Sequence, residues 1–464
     1  MSARSAHLPR AAILTLLAAA GPMSRADLAH RLELSPATVT QLTRELLARA
    51  RLRELEHAPS RGGRPAQLLG LAGPVRRALG VKITRDHLAI ADVCPDGTVR
   101  ARQVHEFDAR ASGSLGKLSH LLQRAVAEAE GGPDALLGVG VAVPGGVNDP
   151  ADGVVHADIL EWRGIPLGRR LRTALELPVL MDNDVNTLAV GERLHGRGRH
   201  HRDLLLVTLG AGVGSAVIAQ GTVYRGAHGD AGEFGHFPVA PGGPRCVCGN
   251  RGCLEAVVGE RALVAKARER RVLAPDDGIG ALQAAADAGS EGAREIYREA
   301  GEVLGRAVGG LIAIVDPEAV VLLGEGVAAW RHLNPGFAPA LEASAPAFRE
   351  KVPVEIGSWD DHTWIQGAAA LVLAAPFDTA GVAGAEGHRV RSRVLADDAR
   401  AVEAENVDAG PVGSGSVEAA LAESGPVVPG PVKSGPVDAG PIDAGPIDVG
   451  PVDVGPGEAG VPGS

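Results

Sequence analysis

The feature that most constrains the fold of this chain is a histidine followed by three cysteines within 18 residues. Cys246, Cys248 and Cys253 follow His236, and the glycines among them permit the sharp turns that would aim three sulfurs at one point. Three thiolates and one imidazole match the ligand set of a tetrahedral structural zinc site, in which protein fills every position. The alternative is three buried cysteines that act as small hydrophobic residues. The spacing favours zinc, which would order a loop without taking part in catalysis.

A hydrophobic run at residues 11–21 allows two interpretations. Arg4 and Arg10 precede it, as positive residues precede the apolar core of a signal peptide. The same run suits the first helix of a DNA-binding domain, and the helices predicted after it favour this second interpretation. The cysteines cluster instead of spreading in disulfide-like pairs, and no run reaches the ~18 apolar residues of a membrane helix. We therefore expect a cytoplasmic, nucleoid-associated protein without a membrane partner.

Residues 1–74 are predicted to form a winged helix-turn-helix, in which three helices precede two short strands. Ser24, with Asp27 three residues later, resembles a capping box at the start of the second helix. Ser35 followed by Pro36 is typical of the start of a third helix. This segment contains ten arginines, no lysine and five acidic residues. A basic head on an acidic chain is suited to contact phosphates.

Operator DNA is the predicted partner of this head. The third helix should enter the major groove with its exposed polar residues, which are Thr38, Thr40, Gln41, Thr43 and Arg44. The tip between the two strands carries Arg61 and Arg64 beside two glycines, a composition that fits a narrow A·T-rich minor groove. The alternative for the tip is a solvated hairpin with two stray arginines.

Residues 75–376 show alternating strand and helix patterns. Continuous apolar runs indicate buried strands, namely Leu136–Val143, Leu204–Leu209 and Ala319–Leu323. Amphipathic helical stretches lie between them, including Leu115–Glu130 and Glu291–Val315. The pattern indicates an α/β fold with two lobes around a cleft.

Polar residues follow the apolar runs at several points. Asn183 and Asp184 come shortly after the run Leu177–Leu180, and Glu233 and Glu255 flank the cysteine cluster. Carboxylates and amides at strand ends are suited to bind a polyol, because each hydroxyl both donates and accepts hydrogen bonds. A plain surface loop explains Asn183 and Asp184 equally well when they are taken alone. Their combination with the cysteine loop favours a binding site.

A glycine-rich segment at residues 209–214 also allows two interpretations. Its Gly-x-Gly-x-Gly pattern occurs in loops that cradle phosphates, and it occurs equally in tight hairpins between strands. Residues 377–464 follow a different pattern, because a Gly-Pro pair recurs every five residues from 425 to 455. Such a sequence cannot continue a helix and buries little surface. We predict that this acidic tail is disordered and partly polyproline-II-like.

These motifs together resemble the ROK family of bacterial repressors, uncharacterised frames and sugar kinases, over about residues 8–375. The most specific matches are Glu233-x-x-His236, the cysteine spacing, Asn183-Asp184 and Pro144-Gly145-Gly146, with Gly63-Arg64-Pro65 matching the wing of the repressor branch. The resemblance implies an actin-like sugar-kinase fold. It also implies sugar contacts from Gly145, Asn183, Asp184, Glu233, His236 and Glu255, with Asp158 as a further candidate.

The sequence departs from the family's kinases at their first phosphate loop. The kinases have Asp-x-Gly-Gly-Thr there, whereas this chain has Lys82 in place of the metal-holding acid, followed by Thr84, Arg85 and Asp86. A later Gly-Gly pair is altered to Gly324-Glu325-Gly326. Phosphoryl transfer depends on positioning and charge neutralisation, so these changes should remove most of the rate. Asp184, the general base of the kinases, would then be a vestige.

The sequence therefore predicts a transcription regulator, most consistent with a repressor of sugar metabolism or uptake genes, that responds to a neutral sugar or amino sugar. The competing hypothesis is an active ATP-dependent sugar kinase with an accessory DNA-binding domain. The basic head favours the regulator, and the altered phosphate loop disfavours the kinase. Two-fold operators and the family resemblance imply a homodimer or a dimer of dimers.

Overall fold

The computed structural model of the protein describes residues 3–57, 66–344, 351–357, 359 and 362–396. The tip residues Arg61 and Arg64 and the Gly-Pro repeats lie outside the described residues. None of the described helices combines the length and the apolar character that crossing a membrane requires.

The head is a winged helix-turn-helix, as predicted. Its elements are α1 (Ala3–Ala20), β1 (Met23–Ser24), α2 (Arg25–Arg31), α3 (Pro36–Ala48), β2 (Leu52–His57) and β3 (Gln67–Leu71). Ser24 and Asp27 form the predicted capping box at the start of α2. The Ser35 hydroxyl accepts a hydrogen bond from the Thr38 amide, 3.1 Å away, and so fixes the start of α3. Local capping chemistry therefore sets both helix starts.

The first lobe is built on a five-stranded sheet with the order β11-β7-β4-β5-β6. Its elements are β4 (Arg77–Ile83), β5 (His87–Val93), β6 (Val99–Glu106), α4 (Ser114–Glu128), β7 (Leu136–Val143), β8 (Gly146–Val147), β9 (Val155–Ala157), β10 (Trp162–Ile165), α5 (Leu167–Leu175) and β11 (Val179–Asn183). β4, β7 and β11 are parallel, so their carboxyl ends meet at one edge of the sheet. That edge faces the cleft.

The second lobe has its own five-stranded sheet with the order β14-β13-β12-β15-β16. Its strands are β12 (Leu204–Leu209), β13 (Val213–Ala219), β14 (Thr222–Tyr224), β15 (Ala319–Leu323) and β16 (Val354–Ile356). The helices that follow β11 are α6 (Asp184–Leu194), α7 (Glu255–Val258), α8 (Glu260–Glu269), α9 (Ile279–Asp287), α10 (Glu291–Val315), α11 (Trp330–Ser344), α12 (Thr363–Ala374) and α13 (Gly384–Leu395). The two-lobed α/β fold is the predicted one.

Helix α12 returns to the first lobe and lies directly on its sheet. A Cβ atom at Gly140 would come within 1.8 Å of the Ala368 carbonyl oxygen, and one at Gly80 within 2.1 Å of the Ile365 carbonyl oxygen. Only glycine at both positions allows this close approach. The contact brings the start of α12, and Trp364 with it, next to the end of β4.

Helix α13 lies inside the segment that the sequence predicted to be disordered from residue 377, so that part of the prediction is wrong. Val390 and Val394 are buried in one hydrophobic core with Ile13 and Leu17 of α1. The arginines of α13 satisfy backbone groups nearby, since Arg393 Nε donates to the Leu136 carbonyl oxygen at 2.7 Å. The head, the first lobe and α13 therefore share one core.

Candidate functional site

A cleft of ≈ 1010 Å³ lies along the carboxyl edge of the first sheet. Its walls include all the residues that the family resemblance implicated in sugar contacts, which are Gly145, Asp158, Asn183, Asp184, Glu233, His236 and Glu255. The structure thus brings together residues that are up to 110 positions apart in the sequence.

Asn183 ends β11 and caps α6. Its Oδ1 accepts hydrogen bonds from the amides of Val185 and Asn186, at 2.8 and 3.3 Å. Its Nδ2 donates to the Gly145 carbonyl oxygen at 3.0 Å. Gly145 has a φ of 122°, in the left-handed region that side chains disfavour. Asn183 therefore fixes the loop that carries Gly145 as well as facing the cleft itself.

Asp184, the first residue of α6, forms an ion pair with Lys82 at the end of β4. The Lys82 ammonium lies 4.3 Å from the centroid of the Trp364 ring, in a cation–π arrangement. Lys82 is only 8% exposed, so water screens this pair weakly. Lys82, which the sequence analysis expected in place of the kinases' metal-holding acid, thus contacts Asp184, the residue that it expected at the general-base position.

The turn after β4 closes on itself. Thr84 Oγ1 donates to Asp86 Oδ1 at 3.0 Å, and the same carboxylate oxygen lies 2.8 Å from His87 Nδ1. These hydrogen bonds, that of His87 first, lower the pKa of Asp86 below its ordinary value. The loop that would hold magnesium and phosphate in a kinase is here a short hairpin with a stable negative charge.

The glycine-rich segment at residues 209–214 is a hairpin, as one of its two interpretations required. Gly210 and Gly212 form the turn between β12 and β13, closed by a 3.0 Å hydrogen bond from the Gly210 amide to the Gly212 carbonyl oxygen. The Glu255 carboxylate accepts a hydrogen bond from the Val213 amide at 3.2 Å. The Glu325 carboxylate lies against Gly210. Two negative groups therefore lie where a phosphate would have to approach this turn.

Glu233 lies in the cleft with half of its side chain exposed. Burial is the main reason that its pKa is raised, and the carboxylates of Asp230, Asp184 and Glu255 add to the effect. Its Oε2 lies 3.6 Å from Nε2 of His236. Among the described residues, this histidine is the one side chain within ion-pair distance of the Glu233 carboxylate, which therefore remains available to a ligand.

His236 also belongs to the predicted metal cluster. Its Nδ1 lies 3.5 Å from Cys246 Sγ, and the sulfurs of Cys248 and Cys253 are 3.7 Å apart. The four candidate ligand atoms all lie within 4.8 Å of one another. Burial raises the pKa of Cys253 to about 12, whereas a hydrogen bond from the Asn250 amide lowers that of Cys248. The cluster could hold a metal ion, with one imidazole nitrogen facing the sulfurs and the other facing Glu233.

A buried ion pair lies beneath the site and crosses between the lobes. Asp182, on β11, is 1% exposed, and Arg225 follows β14 of the second sheet. The Asp182 carboxylate accepts hydrogen bonds from Arg225 Nε at 2.8 Å and from Asn186 Nδ2 at 3.0 Å. Burial raises the pKa of Asp182, and Arg225 opposes that shift. This pair lies one residue from Asn183 and joins the two halves of the cleft.

Helix α3 presents part of the predicted DNA-binding face. Thr40, Gln41 and Arg44 are exposed, and Thr38 is half-buried beside the Ser35 hydroxyl. Arg44 makes no hydrogen bond or ion pair with any residue that the structure describes. Thr43 was wrongly expected on this face, because it is buried and accepts a hydrogen bond from Arg25 Nε at 3.1 Å. A face with three exposed polar side chains remains.

The sequence analysis missed the two tryptophans of the cleft. Trp359 and Trp364 meet edge to face, with ring centroids 5.2 Å apart, and both line the cleft. Two of the four tryptophans in a chain with 3% aromatic residues occur within six positions, which was the available signal. This signal was missed because the packing of α12 on the first sheet, which brings α12 to the cleft, is not visible in the sequence.

The head and the two lobes define a class of proteins in which a winged helix-turn-helix precedes a two-lobed, sugar-kinase-like domain. Residues 78–375 match the ROK family and residues 10–49 match a winged helix-turn-helix DNA-binding family. The chain belongs to the ROK family.

Similar proteins include both regulators and kinases. The transcriptional dual regulator NagC of Escherichia coli is 30% identical, covering 79% of this chain and 92% of NagC. The xylose repressor of Caldicellulosiruptor bescii is 30% identical over 65% of this chain and 78% of its own length. A ROK family transcriptional regulator homologous to E. coli MLC matches with a TM-score of 0.70, 26% identity and coverage of 84% and 100%. A Streptomyces griseus ROK glucokinase, bound to glucose and AMPPNP, matches with a TM-score of 0.56, 27% identity and coverage of 64% and 98%.

Proposed function

We propose that the protein is a repressor of sugar metabolism or uptake genes, whose operator affinity responds to a sugar bound in the cleft. The observation that carries this proposal is the Lys82–Asp184 ion pair. Asp184 is one of the preserved residues expected to face the sugar. Lys82 lies where the kinases of the family have an acid of their phosphate loop. The repressors among its relatives, and the exposed polar face of α3, support the DNA-binding half of the proposal.

The same ion pair argues against phosphoryl transfer. A kinase needs a metal ion beside the phosphates and a base free to accept a proton. Here a fixed ammonium takes the place of the metal-holding acid and contacts the base. The carboxylates of Glu255 and Glu325 at the glycine turn would repel ATP phosphates. The cleft therefore supports sugar binding without turnover.

An active sugar kinase is the second candidate, and Asp184 at the cleft wall is the observation that favours it. The two candidates differ in one measurement, which is ATP turnover across a panel of hexoses and amino sugars. A regulator should show none. Turnover of any sugar at ordinary kinase rates of ~1–100 per second would support the kinase and remove the proposal.

The effector is a neutral sugar or amino sugar, held by Gly145, Asn183, Asp184, Glu233, His236 and Glu255. Names of relatives include an N-acetylglucosamine repressor and xylose repressors, which makes N-acetylglucosamine and xylose the first sugars to test. A sugar that binds the folded state raises the melting temperature. The sugar that raises it should also change operator affinity in a gel-shift titration. A sugar that stabilises the protein but leaves operator binding unchanged would contradict the coupling.

Zinc is the metal proposed for the His236 and cysteine cluster, at one ion per chain. Tetrahedral Zn–S bonds of ~2.3 Å place two sulfurs about 3.8 Å apart. The separation of Cys248 and Cys253 is 3.7 Å. The ion would hold His236 so that its second nitrogen faces Glu233. Metal-bound histidines commonly interact with a carboxylate through this second nitrogen. Its part in function is to fix this wall of the cleft.

The DNA contacts divide between α3 and the wing. Thr38, Thr40, Gln41 and Arg44 would face the major groove. Arg61 and Arg64, outside the described residues, would reach the minor groove. Two-fold symmetric operators require two heads, so we propose a homodimer or a dimer of dimers in the cytoplasm, associated with the nucleoid.

A further inference from the structure

A second cavity of ≈ 240 Å³ lies in the second lobe, behind the glycine turn. We call it the lobe-two cavity. Its walls are largely apolar side chains, including Val258, Leu263, Ile279, Leu304 and Leu333. It shares Leu209, Gly210 and Glu325 with the large cleft, so the two sites meet at the turn between β12 and β13. Its volume equals that of about eight liquid waters, enough for a single small ring.

Tyr297 of α10 brings an unsatisfied hydroxyl to this cavity. The residue is 1% exposed, and its hydroxyl has no hydrogen-bond partner in the described structure. Burial first, then the charges of Glu260 and Asp287, raise the pKa of Tyr297 to about 12, so the hydroxyl keeps its proton. Its ring stacks on His332 with centroids 5.8 Å apart. Buried hydroxyls normally have a partner, so this one points to an acceptor inside the cavity.

Two carboxylates of the cavity wall also lack partners. Glu260 begins α8 and is half-buried, whereas Glu325 follows β15 and is exposed. Neither side chain makes an ion pair or a hydrogen bond with the described residues. Burial and the nearby charge of Glu325 raise the pKa of Glu260. The half-buried, unpaired Glu260 carboxylate beside an apolar wall favours a cation and disfavours a phosphate, and the exposed Glu325 adds a second negative charge.

We propose that the lobe-two cavity binds a small organic amine with one ring. Its ammonium would lie near Glu260 and Glu325, its ring among the apolar side chains, and an oxygen would accept the Tyr297 proton. A ligand there would touch Gly210, in the same turn whose Val213 amide is held by the candidate sugar contact Glu255. The cavity is thus a second ligand site, next to the effector cleft.

Calorimetry with matched probes tests this assignment on the full chain. The probes are para-methoxybenzylamine, the corresponding neutral alcohol and the corresponding carboxylate, which share a ring and an ether oxygen and differ in charge. The amine should bind about tenfold or more tighter than the alcohol, and the carboxylate and AMP should not bind. Glu260→Gln should remove the advantage of the amine, and Tyr297→Phe should weaken amine and alcohol alike.

Two controls locate the amine. Glu269→Gln, on the exposed end of α8, should leave its affinity unchanged, and so should Glu233→Ala, which alters only the effector cleft. Melting temperatures of the free variants show whether each is folded. Equal binding of amine and alcohol, binding of the carboxylate or AMP as tight as that of the amine, or no amine binding would each overturn the assignment. Loss of amine binding in Glu233→Ala alone would place the cation in the cleft, and would equally overturn it.

Discussion

At the scale of single residues, position 82 shows what sequence can and cannot reveal. The sequence alone identifies Lys82 as a replacement for a metal-holding acid. It does not show that the ammonium pairs with Asp184 and lies on the Trp364 ring, because the three residues come from β4, α6 and α12. The motif residues of the cleft were predictable because each has a fixed place in a local pattern. Their partners depend on tertiary packing, which no local pattern encodes.

Glu233→Ala should weaken sugar binding by about 10- to 100-fold, because a hydrogen bond from a sugar hydroxyl to a carboxylate is lost. Asp184→Asn should weaken it less, since an amide still forms hydrogen bonds. Calorimetry with the sugar that raises the melting temperature gives both affinities. Glu269→Ala is the control on an exposed surface. Unchanged affinity in Glu233→Ala would remove this residue from the site.

Cys248→Ser should release the metal and weaken the sugar response, because His236 would no longer be held against Glu233. Cys94→Ser is the matched control, since Cys94 is the one cysteine outside the cluster. Elemental analysis should give one zinc per chain for wild type and Cys94→Ser. Stoichiometric zinc in a chain without Cys246, Cys248 and Cys253 would contradict the ligand assignment. Chelation of the wild-type metal should reproduce the loss of sugar response.

Arg44→Ala should weaken operator binding and reduce the slope of log affinity against log salt by about one, if the side chain contacts a phosphate. The exposed Arg170 of α5 provides a control of equal charge, because Arg170→Ala lies outside the head. Gel-shift titrations at several salt concentrations measure both quantities. The same titration on Arg64→Ala tests the wing, with the largest loss expected at operators flanked by A·T tracts. Identical slopes for wild type and Arg44→Ala would exclude Arg44 as a phosphate contact.

At the scale of elements, strands were predicted correctly where burial on both faces requires an apolar sequence. The runs Leu136–Val143, Leu204–Leu209 and Ala319–Leu323 are β7, β12 and β15 residue for residue. A central strand covered on both faces must be apolar throughout. Helix α13 was missed because it carries three arginines and two glycines and buries only a few apolar side chains. Its arginines bind carbonyl oxygens of distant segments, and those segments are not visible in the helix's own sequence.

The Asp182–Arg225 pair gives a prediction about how the lobes are joined. Arg225→Leu should lower the free energy of unfolding by ~3–5 kcal/mol, because it leaves a buried carboxylate without its cation. Sugar affinity should fall as well, since Asp182 supports the segment that carries Asn183 and Asp184. Urea denaturation and calorimetry measure the two effects.

Arg163→Leu is the matched control for that experiment. Its pair with Asp158 has side chains exposed to 82% and 84%, so its removal should leave the urea midpoint unchanged. Equal effects of the two substitutions would show that the buried pair does not join the lobes.

At the scale of the whole molecule, the head is not an independent domain on a flexible linker. Ile13 and Leu17 of α1 share a core with Val390 and Val394 of α13. Arg51, just after α3, donates from Nη2 to the Val394 carbonyl oxygen at 2.8 Å. Helix α13 in turn contacts the first lobe through Glu386, whose Oε2 accepts a hydrogen bond from the Val179 amide of β11 at 3.3 Å. A continuous path of contacts therefore joins the DNA-binding head to the strand that ends at the cleft.

Two truncated chains test this path. A chain ending at Ala396 keeps every described contact of α13, and should melt and bind operator as the full chain does. A chain ending at Phe377 exposes the apolar face of α1, and should lose stability and operator affinity together. Circular dichroism and gel shifts measure both. If the shorter chain binds its operator and responds to sugar normally, α13 is not part of the connection.

The shared core also has an evolutionary consequence. A gene for a regulator of this kind could not easily acquire a new DNA specificity by recombination in the short segment between β3 and β4. The incoming α1 would meet an α13 that had evolved with a different partner and that is encoded by a distant part of the gene. The segments that encode α1 and α13 should therefore be inherited together, and substitutions at Leu17 and Val394 should be correlated among descendants. New operator specificity should arise instead by change on the exposed face of α3, which leaves this core untouched.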